Sequence, residues 1–131
     1  MSDQGSKKGS DEATAVGGVP LYVLQKRSKQ CLLRQVKGPG APRDIPLDLD
    51  EVIVGRAPES HLFLDSHSVS RQHAALRRSE AGYQCVDLES SNGVFVNAAK
   101  LDGAVELREG DSIQIGDALF LYQELGPDQK L

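Results

Sequence analysis

The 131-residue sequence is short of several residue types, and each shortage excludes a class of protein. It has no tryptophan, three phenylalanines and three tyrosines, so aliphatic side chains must form most of any core. Two cysteines are too few for a disulfide-rich scaffold. No run of about 18 apolar residues is present, which excludes a membrane-spanning helix. Acidic residues outnumber basic ones by 19 to 15, and the net charge of −4 provides no general basic field for nucleic acid.

Both cysteines lie inside apolar runs. Cys31 precedes two leucines, and Cys85 is followed by Val86. Free cysteines in such positions are typically buried and behave as small hydrophobic residues. No secretory apolar segment opens the chain, so the sequence predicts a reduced, intracellular protein, in a cytoplasm or a nucleus, without membrane attachment.

The chain is long enough for one domain with its own core. Residues 1–18 are small, polar and rich in glycine, and we expect them to form a disordered tail. The domain is expected to cover residues 19–125, followed by a disordered end at residues 126–131. A single monomeric domain is therefore predicted.

From Val19 onward the apolar residues follow the period of β-strands, and turn residues separate them at short intervals. No helical stripe of useful length is present. The predicted strands are Leu21 to Leu24, Cys31 to Val36, Ile45 to Leu49, Val52 to Val54, Leu62 to Leu64, His73 to Arg77, Tyr83 to Leu88, Val94 to Val96, Val105 to Leu107, Ser112 to Ile115 and Leu119 to Gln123. This rhythm predicts an all-β sandwich or barrel.

Three short motifs lie on separate turns among the predicted strands: Gly55-Arg56, then Ser70-Arg71-Gln72-His73, then Ser91-Asn92-Gly93. A guanidinium presents a planar fork of donors that matches a phosphate group, and hydroxyl and amide groups can complete the contacts. The motifs together therefore indicate a site that reads a phosphate group and the peptide attached to it.

In this order and spacing, the motifs resemble those of the forkhead-associated (FHA) domain. The resemblance runs from about Leu21 to Glu124, with Val52-Ile53-Val54 before the first motif and the segment Glu109 to Gly116 after the last. It implies an FHA-type β-sandwich of about eleven mostly antiparallel strands, with the binding loops at one end. It also implies a module that binds phosphothreonine-containing partners in Ser/Thr-kinase signalling.

The resemblance assigns a role to each matching residue. Arg56 and Ser70 match the arginine and serine that contact the phosphate, and Arg71 occupies a position that often adds a further contact. Asn92 matches the asparagine that bonds the peptide backbone. Ser91 stands where many members have threonine.

Three other residues match positions that hold the loops in shape: Gly55, His73 and Gly93. The pair Asn97-Ala98 departs from the Asn-Gly that is usual in the family, which predicts a slightly different turn beyond the site.

Simpler interpretations exist for the same residues. Arg56 alone could be a solvated charge at a strand end, and Ser70 could be a turn former. Asn92-Gly93 is a strong signal for a two-residue turn, which is compatible with presenting the asparagine to a ligand.

An enzyme is not supported by the sequence. Ser70 and His73 lack the Gly-x-Ser-x-Gly elbow of a serine hydrolase, and no phosphate-binding Gly-x-x-x-x-Gly-Lys loop is present. The histidines and cysteines show no metal-ligand spacing. The sequence therefore predicts a binding module with no catalytic residues, no cofactor and no metal.

Thr14 is the only threonine in the chain, and it lies in the acidic part of the predicted tail. Some bacterial members of the resembling family are regulated by a phosphorylated N-terminal threonine. The alternative function is therefore a scaffold, or a self-assembling or autoinhibited module, in which phosphorylated Thr14 binds the domain in cis or in trans.

Overall fold

The structure is a computed structural model that describes residues 15–16, 19–20 and 30–125. The predicted strand Leu21 to Leu24, the C-terminal end at residues 126–131 and most of the predicted tail lie outside the described residues. Ala15–Val16 (β1) and Val19–Pro20 (β2) form an antiparallel pair across the predicted boundary between tail and domain.

The rest of the described chain consists of strands joined by turns, and it contains no helix. The strands are Gln30–Lys37 (β3), Arg43–Leu47 (β4), Glu51–Gly55 (β5), Leu62–Phe63 (β6), Ala74–Arg78 (β7), Tyr83–Asp87 (β8), Val94–Val96 (β9), Ala99–Lys100 (β10), Ala104–Glu106 (β11), Ser112–Ile115 (β12) and Ala118–Leu125 (β13). No helix long and apolar enough to cross a membrane occurs in the part of the chain that is described.

These eleven strands form two sheets. One has the order β10-β9-β12-β13-β3-β4, and the other has the order β11-β8-β7-β5-β6. Within the described residues the β5-β6 pair is parallel and the remaining pairs are antiparallel. The predicted all-β FHA-type sandwich of about eleven mostly antiparallel strands is therefore confirmed.

The two sheets share one core. Strand alternation points Val52 and Val54 inward from one sheet and Ile113 and Ile115 inward from the other, and all four are buried. The core is mainly aliphatic, as predicted. Its largest fully buried side chains are nevertheless aromatic: Phe120, Tyr83 and Tyr122.

Both cysteines are buried, as the sequence predicts. The exposed fraction is 5% for Cys31 and 0% for Cys85. Burial raises the pKa of the Cys85 thiol to about 12, and the nearby Asp87 carboxylate acts in the same direction. Because the thiolate is the reactive form, Cys85 is a packing residue in this fold.

The turn between β9 and β10 keeps the geometry of an Asn-Gly hairpin although its second residue is alanine. Asn97 and Ala98 have φ values of +52° and +70°, and Val96 pairs with Ala99 across the turn. The prediction of a different turn at this place is wrong. The departure from Asn-Gly instead places an alanine in the left-handed region, where the Cβ atom makes the backbone conformation strained.

Replacing Ala98 by glycine is expected to stabilise the domain. Relief of the left-handed strain exceeds the entropy that glycine adds to the unfolded chain, for a net gain of about 0.5–1 kcal/mol. Thermal unfolding should show a melting temperature a few degrees higher. An unchanged or lower melting temperature would show that Ala98 carries no strain.

Candidate functional site

The sheet order brings the three motifs to one end of the sandwich. The end of β5 pairs with the start of β7 through Val54 and Ala74, and Ala74 pairs in turn with Asp87 at the end of β8. The loops at residues 56–61, 64–73 and 88–93 therefore emerge side by side, and we call them the site loops. The turn between β12 and β13 joins them, because Ile115 pairs with Val94 at the start of β9.

Gly55 allows the first two site loops to approach closely. A Cβ atom at this position would lie 2.0 Å from the carbonyl oxygen of Arg71 and 2.8 Å from its carbonyl carbon. Only glycine leaves room for this contact between main chains. The predicted structural role of Gly55 therefore has a geometric basis.

Arg56 is fixed against the second site loop at both its main chain and its side chain. Its N–H donates to the Ser70 carbonyl at 2.9 Å, and its Nε donates to the Val69 carbonyl at 3.0 Å. Among the described residues no acceptor is bonded to its Nη atoms. The half-buried guanidinium is therefore held in one place with its terminal donors available for a ligand.

His73 ties the second and third site loops together from the interior. Its ring is fully buried; Nδ1 accepts the Ser70 N–H at 2.9 Å, and Nε2 lies 2.8 Å from the Gly93 carbonyl oxygen. Because an N–H group occupies Nδ1, the ring proton must be on Nε2, where it donates to Gly93. His73 thus fixes the two motifs that contain Ser70 and Asn92 relative to each other.

The Ser70 hydroxyl lies at the junction of these two loops. Its oxygen accepts the Ser91 N–H at 3.0 Å. This bond uses an acceptor lone pair and leaves the hydroxyl proton to be donated. Ser91 itself is exposed, and in this structure its main chain orients Ser70.

The Asn92 carboxamide is oriented by a hydrogen bond to the second loop. Its Nδ2 donates to the Ser68 carbonyl at 2.8 Å, so Oδ1 and the second Nδ2 proton remain for a ligand. Gly93 follows with φ of +83°, and its N–H donates to Ser90 Oγ at 2.9 Å. The predicted two-residue turn at Asn92-Gly93 is wrong, because β8 and β9 lie in different sheets and only Gly93 of the two residues has a positive φ. The presentation of Asn92 to a ligand stays a prediction.

Arg71 is an exposed cation that faces an exposed carboxylate. Its Nη2 lies 3.9 Å from Glu59 Oε2, and the two side chains are 62% and 72% exposed. Such a pair contributes little to stability, since both charges remain hydrated. A phosphate dianion can therefore replace Glu59 as the partner of Arg71 at small cost.

Sequence reasoning missed two features of the site. The first is Lys100, whose stem crosses Gly93: its Cε lies 2.9 Å from where a glycine Cβ would be. This adds a third basic side chain beside the site. The local signal was weak, since a single lysine in a short edge strand is usually a solvated charge.

The second missed feature is the Gly116-Asp117 turn, which packs on Ser68 and Val69. Hydrogen bonds from the hydroxyl of Ser66, from that of Ser68 and from the Asp117 main chain hold the pKa of the Asp117 carboxyl below its usual value, against a small effect of burial. Only contacts 49 residues apart in sequence reveal this feature, so no local pattern could have identified it.

The structure places eight of the predicted site residues in one connected group: Gly55, Arg56, Ser70, Arg71, His73, Ser91, Asn92 and Gly93. Their roles toward a ligand stay predictions. Thr14 lies outside the described residues. Of the other two histidines, both exposed, His61 accepts the Ile53 N–H through Nδ1 at 2.9 Å.

Comparison with known proteins gives the same family as the motifs. The family model for the FHA domain matches residues 52–116. The chain is 41% identical over 91 residues to the oxoglutarate dehydrogenase inhibitor of Corynebacterium diphtheriae, covering 70% of this chain and 62% of the relative. It spans about three fifths of the length of the first curated relatives that it matches.

Two solved structures have the same fold. One is Mycobacterium tuberculosis EmbR in complex with a low-affinity phosphopeptide, with a TM-score of 0.67, 33% identity and coverage of 79% of this chain and 28% of EmbR. The other is the FHA domain of the CT664 protein from Chlamydia trachomatis, with a TM-score of 0.64, 30% identity and coverage of 72% of this chain and 96% of that domain. The sequence match and the fold agree, and the chain belongs to the FHA domain family.

Proposed function

We propose that this chain binds phosphothreonine-containing segments of partner proteins at the site loops. The residues that carry recognition are Arg56, Ser70, Arg71, Ser91 and Asn92. The observation that carries the proposal is the hydrogen bonding of Ser70: its hydroxyl oxygen accepts the Ser91 N–H, which leaves its proton to be donated to a ligand, and its carbonyl accepts the Arg56 N–H. A phosphate oxygen is the acceptor that suits this donor.

The charges of the site fit a phosphate dianion. A phosphorylated threonine carries close to two negative charges near neutral pH, and Arg56 and Arg71 supply two positive ones. Arg56 is already ordered by Val69, so binding costs little of its side-chain entropy. Arg71 exchanges the Glu59 carboxylate for a more highly charged partner.

Recognition of the peptide backbone is assigned to Asn92. Its oriented Oδ1 accepts a peptide N–H, and its second Nδ2 proton donates to a peptide carbonyl. Preference for phosphothreonine over phosphoserine requires a small apolar contact for one methyl group. Burial of one methyl contributes about 0.8 kcal/mol, which corresponds to about fourfold in affinity. Strict selectivity therefore also needs a restricted rotamer of the phosphothreonine side chain.

The proposed partners are defined by the chemical group that the site binds. They are proteins phosphorylated on threonine by an upstream Ser/Thr kinase, and the module couples that kinase to complex assembly. The resemblance to an inhibitor of oxoglutarate dehydrogenase makes regulation of a bound enzyme a further part of the proposal. The chain acts as a monomeric intracellular reader, in the cytoplasm of a bacterial cell, with no cofactor, catalysis, nucleic acid or membrane involved.

The alternative of a tail-regulated module depends on Thr14. Phosphorylated Thr14 has the chemistry of the proposed ligand, and it is the only threonine in the chain. Its binding in cis would close the site, and its binding in trans would assemble copies of the chain. Because Thr14 lies outside the described residues, this regulation stays a prediction from the sequence.

Fluorescence polarisation with a degenerate phosphothreonine peptide library tests the proposed function. We expect dissociation constants on the order of micromolar for the phosphothreonine set, weaker binding of phosphoserine peptides and no measurable binding of unphosphorylated ones. The unphosphorylated library is the matched control, because it measures binding that does not depend on the phosphate group. Equal binding of phosphorylated and unphosphorylated peptides would contradict the proposal.

A further inference from the structure

The second site loop is hydrogen-bonded to the turn between β12 and β13. The Asp117 carboxylate accepts the Ser68 hydroxyl at 3.1 Å, and the Asp117 N–H donates to the same hydroxyl oxygen at 3.0 Å. Ser66 Oγ lies 2.9 Å from Ser68 Oγ. Ser68 is therefore fixed at its side chain by a residue 49 positions away in sequence.

Gly116 extends the same contact along the main chain. It has φ of +60°, and a Cβ placed on it would lie 2.6 Å from Ser68 Oγ and 2.9 Å from the Ser68 carbonyl oxygen. The two main chains thus pack with no space for a side chain between them. We call Ser66, Ser68, Gly116 and Asp117 the loop clamp.

The carbonyl groups next to the loop clamp hold two of the proposed recognition side chains. The Ser68 carbonyl accepts Asn92 Nδ2 at 2.8 Å, and the carbonyl of the following residue, Val69, accepts Arg56 Nε at 3.0 Å. A shift of Ser68 therefore moves an acceptor that sets which way the Asn92 carboxamide faces. Asn92 is exposed, so tight packing does not hold its orientation in place of that bond.

We propose that Asp117 is a positioning residue for phosphopeptide binding, acting through Ser68 on the orientation of the Asn92 carboxamide. This proposal rests on the proposed function of the site. Asp117 needs no contact with the peptide. Its carboxylate keeps the Ser68 carbonyl aimed at Asn92 Nδ2, so that Asn92 Oδ1 faces the peptide before the peptide arrives.

The test compares variants of the clamp in phosphothreonine-peptide binding. Asp117→Ala and Ser68→Ala are both expected to weaken binding roughly tenfold, because the Asn92 amide must be ordered anew on binding. Asp117→Asn keeps an oxygen that accepts the Ser68 hydroxyl and should stay within about twofold of the parent protein. The matched control is Asp48→Ala, which removes an exposed carboxylate near the opposite end of β5 and should leave binding unchanged.

Coupling to Asn92 distinguishes positioning from general loosening. In an Asn92→Ala background, Asp117→Ala should cause no further loss of affinity, since the group that it orients is gone. Equal losses with and without Asn92 would overturn the proposal, as would parent-like binding by Asp117→Ala. Melting curves show that each variant is compared in its folded state.

A readout without peptide separates this proposal from the proposed function. In the parent protein, the NMR signals of the Asn92 side-chain NH₂ should show the slow exchange of a hydrogen-bonded amide. Asp117→Ala should shift them and speed their exchange, while Asp117→Asn should not. Unchanged Asn92 signals in Asp117→Ala would refute the clamp, even if no phosphopeptide binds the parent protein and the proposed function fails.

Discussion

Replacing Arg56 by alanine is expected to abolish measurable phosphothreonine-peptide binding while the domain stays folded. The ordered guanidinium supplies the charge that a desolvated phosphate needs, and its loss should weaken binding on the order of 100-fold or more. The Nε bond to the Val69 carbonyl is lost as well, which costs about 1 kcal/mol of stability. Fluorescence polarisation together with a melting curve measures both effects.

Two further variants sharpen this prediction. Arg56→Lys keeps the charge and loses the planar fork, so binding should lie between that of the parent and that of the alanine variant. Arg77→Ala is the matched control. Arg77 is an exposed arginine on β7, and its Nε donates to the Glu51 carboxylate at 2.8 Å. Parent-like affinity of Arg56→Ala, or loss of affinity only through unfolding, would contradict the role given to Arg56.

Replacing His73 by alanine should have the largest effect on stability. The substitution leaves the Ser70 N–H and the Gly93 carbonyl without the ring that bridges them, and it opens a cavity in the interior. Each orphaned group costs about 1–3 kcal/mol, so we expect about 3 kcal/mol in total. For a domain of this size that lowers the melting temperature by more than about 10 °C.

Binding by the His73→Ala variant should fall only indirectly. At a temperature where the variant is folded, affinity should drop by less than about tenfold, because the ring contacts loops and not the ligand. His67→Ala is the control, since His67 is an exposed histidine in the same loop. A melting temperature within about 2 °C of the parent would show that His73 does not hold the loops together.

Most of the fold could be predicted from the sequence because its strands alternate apolar and polar residues. The predicted Val94 to Val96 and Ser112 to Ile115 match β9 and β12. The errors in the predicted strands lie at strand ends and in the shortest strands. His73 was predicted to open a strand, yet its ring faces the site loops and β7 begins at Ala74. The two-residue strand β10 has no periodicity to detect, and it forms because the Asn97-Ala98 turn returns the chain onto β9.

The site could be predicted as far as its local motifs extend. Arg56, Ser70 and Asn92 lie in short patterns whose chemistry is visible without coordinates. Asp117 was not found, because its contact with Ser68 depends on which β-turn the fold places beneath the second site loop. The pairing of Arg71 with Glu59 likewise follows from loop shape, since nothing in the spacing of the two residues fixes it.

An NMR titration of ¹⁵N-labelled protein with a phosphothreonine peptide tests most directly that the site loops bind the phosphate. The largest shifts should occur at the main-chain amides of Arg56, Ser70, Arg71, Ser91 and Asn92 and at the Asn92 side chain, and the unphosphorylated peptide should cause none. Phosphate-dependent shifts confined to another surface of the sandwich, or no shifts at all, would contradict the account.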